Sequence, residues 1–383
     1  MKPLRHTIII GPKEDLGTRT PMVNALIDRM RKHRREELPK WVGNPRRKRE
    51  QLLARVSYNP APVPFRARLL REESFPAYVR RTYRLQINPD DQTEALLFLP
   101  RRASRRRPVP ALLGIHEHGG QLLLGKVKLT HIKGMPATFR RYQERCYGGQ
   151  PPADFFASHG FAVLVIDLFG FGSRALWRRG EPPYHRGNVP ISAAKDLELR
   201  LRMRYEQFWL HRALLAHGVT ESEICLDDNR RSLDFLETIP AIDSRRIGAF
   251  GLSVGAILSH ELAAFDPRVK AAVPVCWTGD WGEMIKRDGP RVLGVQFLLP
   301  GISAECHVPE LVALTNPRAM LVINGTQDTM YSLANQRQTR AAILRIARRQ
   351  RRTDRLRWHF FDGPHQFHPV EQQLALEFFQ EWL

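Results

Sequence analysis

A serine between two glycines lies in the segment Gly251-Leu252-Ser253-Val254-Gly255. The apolar run 247–252 precedes it, as a buried parallel strand would, and residues 256–265 repeat apolar side chains at helical spacing. A nucleophilic serine at such a turn takes unfavourable backbone angles, and the glycines leave no Cβ to collide with neighbouring elements. The pattern predicts a nucleophile at Ser253, beside the first N–H groups of a helix. The alternative is a small residue at an ordinary strand-to-helix turn.

A serine hydroxyl becomes a competent nucleophile when a base removes its proton, and an acid orients that base. Open α/β sheets place such residues after the carboxyl ends of their strands. The apolar run 319–323 leads through a glycine turn to Asp328, and the run 356–361 leads through a second turn to His365. We therefore expect Ser253, Asp328 and His365 to converge at one edge of a sheet.

A second group of polar residues, His116-Glu117-His118-Gly119-Gly120, follows the apolar run 109–115. Its imidazoles and carboxylate are ligand types that zinc accepts. The spacing differs, however, from the helical H-E-x-x-H pattern that puts both imidazoles on one face. We therefore predict no metal site here, and we expect the protein to need no cofactor.

The order of serine, acid and histidine, with the acid and the base in loops after successive strands, resembles the α/β-hydrolase superfamily. The segment DDNRRSLDFLETIPAIDSRRIGAFGLSVG (227–255) is similar to the helix, Asp turn and nucleophile turn of its dienelactone-hydrolase-like and acetyl-xylan-esterase-like bacterial branch. The segment VIDLFGFGSR (165–174) is similar to the strand-to-glycine segment of that branch. The likeness covers roughly residues 80–383.

The resemblance implies a role for each of the three candidates. Ser253 would attack an ester carbonyl, and His365 would accept its proton and return it to the leaving group. Asp328 would hold the imidazole in the tautomer that this transfer needs.

The resemblance also implies where the oxyanion is held. In the superfamily one backbone N–H comes from the residue after the nucleophile and a second from a loop after an earlier strand. These positions correspond here to Val254 and to the His118-Gly119 segment. Because the loop reads His-Glu-His-Gly-Gly and not His-Gly-Gly-Gly, the sequence leaves open which of its amides points inward.

The base and the acid each have a rival. His368 lies three residues beyond His365 but directly precedes a proline and the last predicted helix, so His365 is closer to the strand end and is preferred. Asp280, in the segment CWTGDWGEM, follows the preceding predicted strand and competes with Asp328. The order of the loops in the fold favours Asp328.

From about residue 79, predicted strands alternate with predicted helices, which is typical of a mostly parallel sheet covered on both faces. The first strands are expected to be an antiparallel pair at 83–87 and 94–99. With the resemblance, this pattern predicts an α/β-hydrolase fold over residues 79–383, with an eight-stranded type of sheet. A long insertion around 170–220 is expected to form a lid over the site. Its aromatic residues would otherwise belong to the core: Trp177, Tyr184, Tyr205 and Trp209.

Residues 1–78 have a different character. Helical spacing at 22–30 and 50–56 is interrupted by the basic run 31–35 and by Pro39, and a proline-rich segment follows at 59–64. We predict a basic N-terminal arm or a small helical annex in this part of the chain.

The overall composition gives a formal net charge of +21 in a chain of 383 residues. Such a charge attracts nucleic acid or an anionic surface. The basic runs are scattered, however, without the interleaved aromatic residues of a groove for single strands, which favours an ordinary solvated surface. Four cysteines form no C-x-x-C pair, which fits a reducing compartment. The apolar run 8–10 is too short for a signal peptide and no run is long enough to span a membrane, so we expect a cytoplasmic protein.

These observations predict a serine hydrolase that cleaves carboxylic esters through an acyl-enzyme intermediate, a carboxylesterase or acetyl-esterase. Small-molecule or carbohydrate esters are the expected substrates. Two alternatives stay open. One is an amidase or peptidase that uses the same three residues, and the other is a basic protein that binds nucleic acid or an anionic surface on a hydrolase scaffold.

Overall fold

The structure is a computed structural model that describes residues 20–288, 298–315 and 318–383. The apolar run 8–10 and the first part of the predicted N-terminal arm lie outside the described residues. Within them, nine strands form one sheet: β1 (Arg68–Ser74), β2 (Tyr78–Gln86), β3 (Gln92–Pro100), β4 (Val109–Ile115), β5 (Ala162–Ile166), β6 (Ile242–Leu252), β7 (Val269–Val275), β8 (Ala319–Gly325) and β9 (Leu356–Phe361). Their spatial order is β1-β2-β3-β5-β4-β6-β7-β8-β9.

Helices fill most of the connections between these strands. In chain order they are α1 (Thr20–Trp41), α2 (Pro45–Leu53), α3 (Ala137–Tyr147), α4 (Pro152–Ser158), α5 (Ala193–Ala216), α6 (Glu221–Glu237), α7 (Val254–Phe265), α8 (Trp281–Asp288), α9 (Pro300–Ser303), α10 (Val308–Thr315), α11 (Leu333–Arg349) and α12 (Pro369–Trp382). Over the described ranges, none of them is both long and apolar enough to cross a membrane.

The direction of the strands divides the sheet into two parts. β1, β2, β3 and β5 pair antiparallel, and β5, β4, β6, β7, β8 and β9 pair parallel. β9, at the edge, is partly exposed, but the other parallel strands are mostly buried, and all five residues of β5 are buried. Such strands must be covered on both faces. The predicted mostly parallel sheet with helices on both faces is therefore confirmed.

The side chains of adjacent strand residues point to opposite faces and build two separate cores. On one face, Leu113 and Ala249 pack with residues of α6 and α7. On the other face, Leu112 and Phe250 pack with residues of α3, α4 and α12. Because side chains alternate between the two faces along β4 and β6, their position in the strand decides which helices they pack against.

The sheet begins earlier and has one strand more than the eight-stranded type that the sequence predicts. β1 (Arg68–Ser74) reads RLLREES and is mostly exposed, so it lacks the apolar alternation by which a strand is recognised. It is an edge strand, held by backbone pairing to β2 and by cross-strand ion pairs. Glu72 accepts from Arg81 at 2.7 Å and Glu73 from Arg80 at 2.9 Å.

The predicted break in the first helix is wrong, because α1 continues through the basic run 31–35. Arginine is a good helix former, and two of these arginines have acidic partners elsewhere in the fold. Arg31 donates to Asp280 at 2.6 Å, and Arg34 lies 3.8 Å from Glu310. Pro39 lies in the last turn of α1, so the backbone hydrogen bond that it removes is near the end of the helix.

The two N-terminal helices pack on the main body of the protein. Leu38 and Trp41 of α1 and Leu52 of α2 are buried in a third apolar cluster, together with Phe265 of α7 and Val322 of β8. The helical part of the predicted annex is therefore joined to the sheet by an apolar contact. The division of the chain near residue 78 stays a prediction.

The aromatic residues of the segment 170–220 fall into two groups. Trp177 and Tyr184 pack against the core, and the indole Nε1 of Trp177 donates to the carbonyl of Gly172 at 2.6 Å. Tyr205 and Trp209, both on α5, are 77% and 64% exposed. The core interpretation thus holds for Trp177 and Tyr184, and the lid around 170–220 stays a prediction.

The third apolar cluster predicts the effect of Leu52→Ala. Leu52 is fully buried, so truncation removes apolar contacts and leaves a cavity. We expect the free energy of unfolding to fall by about 2–4 kcal/mol, measured by urea denaturation. Leu201→Ala is the control, because Leu201 is 60% exposed and the same truncation there should change stability by less than about 0.5 kcal/mol. Equal effects of the two substitutions would contradict the packing of α2 on the body.

Candidate active site

Ser253 lies at the junction between β6 and α7 in a strained backbone conformation. Its φ is 59° and its ψ is −119°, values that a residue with a Cβ rarely adopts. The N–H of Ser253 donates to the carbonyl of Val275, at the end of β7, at 2.9 Å. Neighbouring strands thus hold the turn in place, and the side chain of Ser253 projects where the strand ends.

The glycines on both sides of Ser253 are required by close packing. A Cβ at Gly251 would lie 2.6 Å from the carbonyl oxygen of Ile115 in β4, and it would overlap the carbonyl of Gly255. A Cβ at Gly255 would overlap the same oxygen of Ile115. These contacts are the crowding that the sequence predicts, and they set the start of α7 directly against the end of β4.

Asp328 and His365 are in direct contact, in the loops after β8 and β9. Nδ1 of His365 lies 2.7 Å from Oδ2 of Asp328, and Oδ1 of the same carboxylate accepts the N–H of Met330 at 2.8 Å. Because a carboxylate only accepts, Nδ1 carries the proton and Nε2 is left as the basic nitrogen. The Asp328 side chain is buried and that of His365 is partly exposed. The pair has the geometry of an oriented general base.

The two loops that carry this pair are tied to each other. The N–H of Thr326 donates to the carbonyl of Phe361 at 2.9 Å, and the N–H of Gln327 donates to that of Gly363 at 3.0 Å. The side chains of Thr326 and Gln327 both donate to Oδ1 of Asp362. The position of the pair therefore depends on backbone contacts between neighbouring strand ends.

Cys276 connects the serine side of this edge with the histidine side. It follows β7 with a φ of 56°, and its N–H donates to the carbonyl of Ile323 in β8 at 2.8 Å. Its Sγ, a carboxylate oxygen of Asp328 and a ring nitrogen of His365 all lie within 4.8 Å of one another. The backbone N–H of Ser253 donates to Val275, the residue before Cys276. The structure therefore brings Ser253, Asp328 and His365 to the same edge of the sheet. In the sequence Cys276 directly follows the apolar segment 269–275, and this spacing marks its position at a strand end.

The side chains of this Cys-Asp-His set have hydrogen-bond partners within the protein. Burial raises the pKa of the Cys276 thiol far above its ordinary value, so the sulfur keeps its proton. The thiol donates to the carbonyl oxygen of Gln366, which lies 3.5 Å from Sγ. The carboxylate of Asp328 and the imidazole of His365 bind each other.

The rival acid and the rival base have other partners. Asp280 binds Arg31 of α1 and accepts the N–H of Glu283 at 3.1 Å at the start of α8. Nε2 of His368 contacts the carbonyl of Arg145 at 3.1 Å, and the residue caps α12. Neither residue takes part in the Asp328–His365 contact.

The loop after β4 carries two histidines that stay neutral, His116 fully buried and His118 half-buried. The N–H of Leu168 donates to Nε2 of His116 at 3.1 Å, and the N–H of Gly120 donates to Nδ1 of His118 at 3.0 Å. Burial lowers the pKa of His116 to about 3 and that of His118 to about 4. The engaged nitrogens argue against a metal role for either imidazole.

The predicted oxyanion donors lie at the start of α7 and in the loop after β4. Val254 is the first residue of α7, where a helix N–H has no acceptor in its own helix. Gly119 has a φ of 55°, and a Cβ there would overlap the hydroxyl of Tyr142. The assignment of the oxyanion hole to Val254 and to His118 or Gly119 stays a prediction.

Comparisons with known proteins agree with this architecture. No family model matches the sequence. A protein of Bacillus subtilis (strain 168) with the name "Putative hydrolase YtaP" is 26% identical over 284 residues, which are 74% of this chain and 81% of that protein.

Several solved structures are similar in fold, among them two esterases. A "putative acetyl xylan esterase (BF1801)" from Bacteroides fragilis NCTC 9343 has a TM-score of 0.63 at 19% identity, over 91% of this chain and 82% of that one. A glucuronoyl esterase from Solibacter usitatus has a TM-score of 0.56 at 14% identity, over 87% of this chain and 91% of that one. The chain has the α/β-hydrolase fold, and its resemblance to acetyl-xylan-esterase-like proteins is confirmed.

The close packing at the serine turn predicts the effect of Gly255→Ala. The added methyl group would meet a backbone oxygen, which cannot move without shifting β4. We expect the free energy of unfolding to fall by about 1–3 kcal/mol in urea denaturation. Gly43→Ala is the matched control, because nothing lies within 4 Å of a Cβ at that position. A Gly255→Ala protein as stable as the Gly43→Ala protein would show that the turn is not crowded.

Proposed function

We propose that this protein is a serine hydrolase that cleaves carboxylic esters through an acyl-enzyme intermediate and needs no cofactor. The observation that carries the proposal is the strained Ser253 at the same sheet edge as the hydrogen-bonded pair of Asp328 and His365. A base oriented by an acid activates a serine hydroxyl, and a strained strand-to-helix turn presents that hydroxyl at the end of the strand.

The reaction follows from the roles of these residues. Oγ of Ser253 attacks the ester carbonyl while Nε2 of His365 takes its proton. His365 then protonates the departing alcohol, which leaves the acyl group on the serine. Water, deprotonated by the same imidazole, releases the acid and restores Ser253. Asp328 holds the imidazole and stabilises its charged form throughout.

The negative charge on the carbonyl oxygen needs hydrogen-bond donors in fixed positions. The N–H of Val254 and an N–H of the His118-Gly119 segment are the proposed donors. One such donor typically contributes about 3–4 kcal/mol to stabilising the transition state. Both belong to elements that the close packing of β4 and α7 fixes.

Esters of carbohydrates or of small molecules are the proposed substrates. The names of the similar structures, an acetyl xylan esterase and a glucuronoyl esterase, support ester cleavage. An amidase or peptidase would use the same three residues and differs only in its leaving group. A panel of esters and matched amides separates the two activities.

We also propose that α5 belongs to a lid over the site. Gln207 of α5 is buried, and its Oε1 lies 3.4 Å from Nε2 of His118 in the loop after β4. The opposite face of α5 exposes Tyr205 and Trp209. The helix thus contacts the proposed oxyanion loop with one side and faces solvent with the other.

A fluorophosphonate probe tests the nucleophile and the base. We expect the wild-type protein to be labelled at Ser253, and the Ser253→Ala and His365→Ala variants to remain unlabelled. Ester turnover in both variants should fall on the order of 10⁶-fold. Ser259→Ala is the control, since Ser259 is buried in α7 and binds the carbonyl of Ala256. Equal labelling of all four proteins would refute the proposal.

A comparison of Asp328→Asn with Asp280→Asn tests the acid. Asparagine at 328 favours the wrong imidazole tautomer, so we expect kcat to fall by about 10⁴-fold with little change in folding. Asparagine at 280 removes one of the charged partners of Arg31, which keeps Glu283, so we expect a somewhat lower melting temperature and a nearly unchanged kcat. Steady-state kinetics and thermal unfolding measure both. A large loss of kcat at 280 with a small one at 328 would reverse the assignment.

A further inference from the structure

A fully buried lysine supports the loop after β4. Lys128 lies in the short helical turn Lys126–Leu129 and has no exposed surface. Its Nζ donates to the backbone carbonyls of Glu117 at 2.5 Å and of His118 at 3.0 Å. The ammonium also lies 4.7 Å from the ring centre of Phe171. A buried ammonium is costly unless it is hydrogen-bonded, and here its acceptors are two consecutive peptide groups of the proposed oxyanion loop.

These bonds fix the direction of the next amide. A trans peptide group is planar, with its C=O and its N–H on opposite sides. The carbonyl of His118 is held by Nζ of Lys128 and by the N–H of Gln121, at 3.1 Å. The N–H of Gly119, in the same peptide group, therefore points away from Lys128. The next N–H, of Gly120, is turned to the His118 ring.

Tyr142 lies directly against the Cα of Gly119, although Gly119 itself is exposed. Its φ of 55° and the overlap of a Cβ with the Tyr142 hydroxyl leave room for glycine alone. The hydroxyls of Tyr142 and Tyr147 both donate to the carboxylate of Glu117, which is 1% exposed. The peptide groups around Gly119 are thus held by a buried network of a lysine, a glutamate and two tyrosines.

We propose that Lys128 is a positioning residue that fixes and polarises the Gly119 N–H as the second oxyanion donor. This inference rests on the proposed esterase function. A positive charge bound to a carbonyl draws electrons through the peptide group, and the N–H on its other side becomes a stronger donor. Lys128 therefore acts on the oxyanion through the His118–Gly119 peptide group.

The charge on Lys128 has a nearby counter-charge. Burial lowers its pKa to about 8, while the negative charges of Glu117 and Asp167 and the thiol of Cys146 act in the opposite direction. The side chain is therefore mostly charged at neutral pH. Glu117 lies in the same loop, so the network gains no large uncompensated charge.

Lys128→Met tests the inference, with Lys126→Met as the matched control. Lys126 is equally buried in the same turn, but its Nζ binds Asp167 at 2.7 Å and Glu94 at 3.1 Å. We expect Lys128→Met to lower kcat by about 100-fold with an unchanged KM, because the oxyanion forms only in the transition state. The Ki of a trifluoromethyl ketone, which forms a tetrahedral oxyanion on the serine, should rise by the same factor. Lys126→Met should lower the melting temperature and leave kcat and that Ki near the wild-type values.

Lys128→Gln separates positioning from polarisation and serves if the methionine variant does not fold. The amide keeps an N–H donor without the charge, so we expect an intermediate loss in kcat and in inhibitor affinity. Wild-type kcat and Ki in either folded Lys128 variant would overturn the inference. So would losses that the Lys126→Met protein shares.

A measurement on the wild-type protein needs no substitution. The amide proton of Gly119 should move strongly downfield in the NMR spectrum when the ketone adduct forms, because its N–H then donates to a charged oxygen. An unmoved Gly119 resonance in the adduct would overturn the inference. If the wild-type protein neither turns over esters nor binds the ketone, the esterase function itself fails. An active wild-type protein with a fully active Lys128→Met variant refutes only the role of Lys128.

Discussion

The close approach of β4, β6 and α7 is the constraint on which the candidate site depends. Backbone atoms of Ile115 in β4 lie where a Cβ at Gly251 or Gly255 would be. The chain between these glycines must therefore turn sharply, and Ser253 takes a positive φ. Packing of regular elements thus maintains the strain at Ser253, independently of the residues that would react with it. The same contact brings the first amide of α7 next to the loop after β4.

The base and its acid depend on the register of the sheet in a similar way. β8 and β9 are parallel neighbours, so their carboxyl ends release the two loops side by side. Backbone bonds from Thr326 and Gln327 join those loops. The contact of Asp328 with His365 is therefore a consequence of strand order. Such a scaffold limits the motion of the imidazole and keeps its geometry close to the one that proton transfer needs.

Buried charges accompany the site and are paired inside the fold. Asp167, at the end of β5, accepts from Lys126 and Ser173, and Arg174 binds Asp228 at 2.5 Å. The positive charges of Lys126 and Arg174 are thus neutralised by buried carboxylates inside the fold. Arg31 of α1 pairs with Asp280 in the same way. Asp280, the rival of Asp328 in the sequence, therefore helps to hold the N-terminal helix on the body of the protein.

The sequence by itself determined the strand-to-helix turn at Ser253, the apolar strands β4 to β9 and the order of Ser253, Asp328 and His365. Each of these features depends on residues that are close together in the chain: the spacing of apolar side chains, the glycines and the turn residues. The exposed edge strand β1 carries no such pattern, and its pairing with β2 depends on backbone bonds. The sequence favoured Asp328 over Asp280, but the contact of Asp328 with His365, the pairing of Asp280 with Arg31 and the contact of Lys128 with the loop after β4 needed the tertiary structure. Each is a contact between segments far apart in the chain, and the packing of the whole sheet decides which polar groups meet.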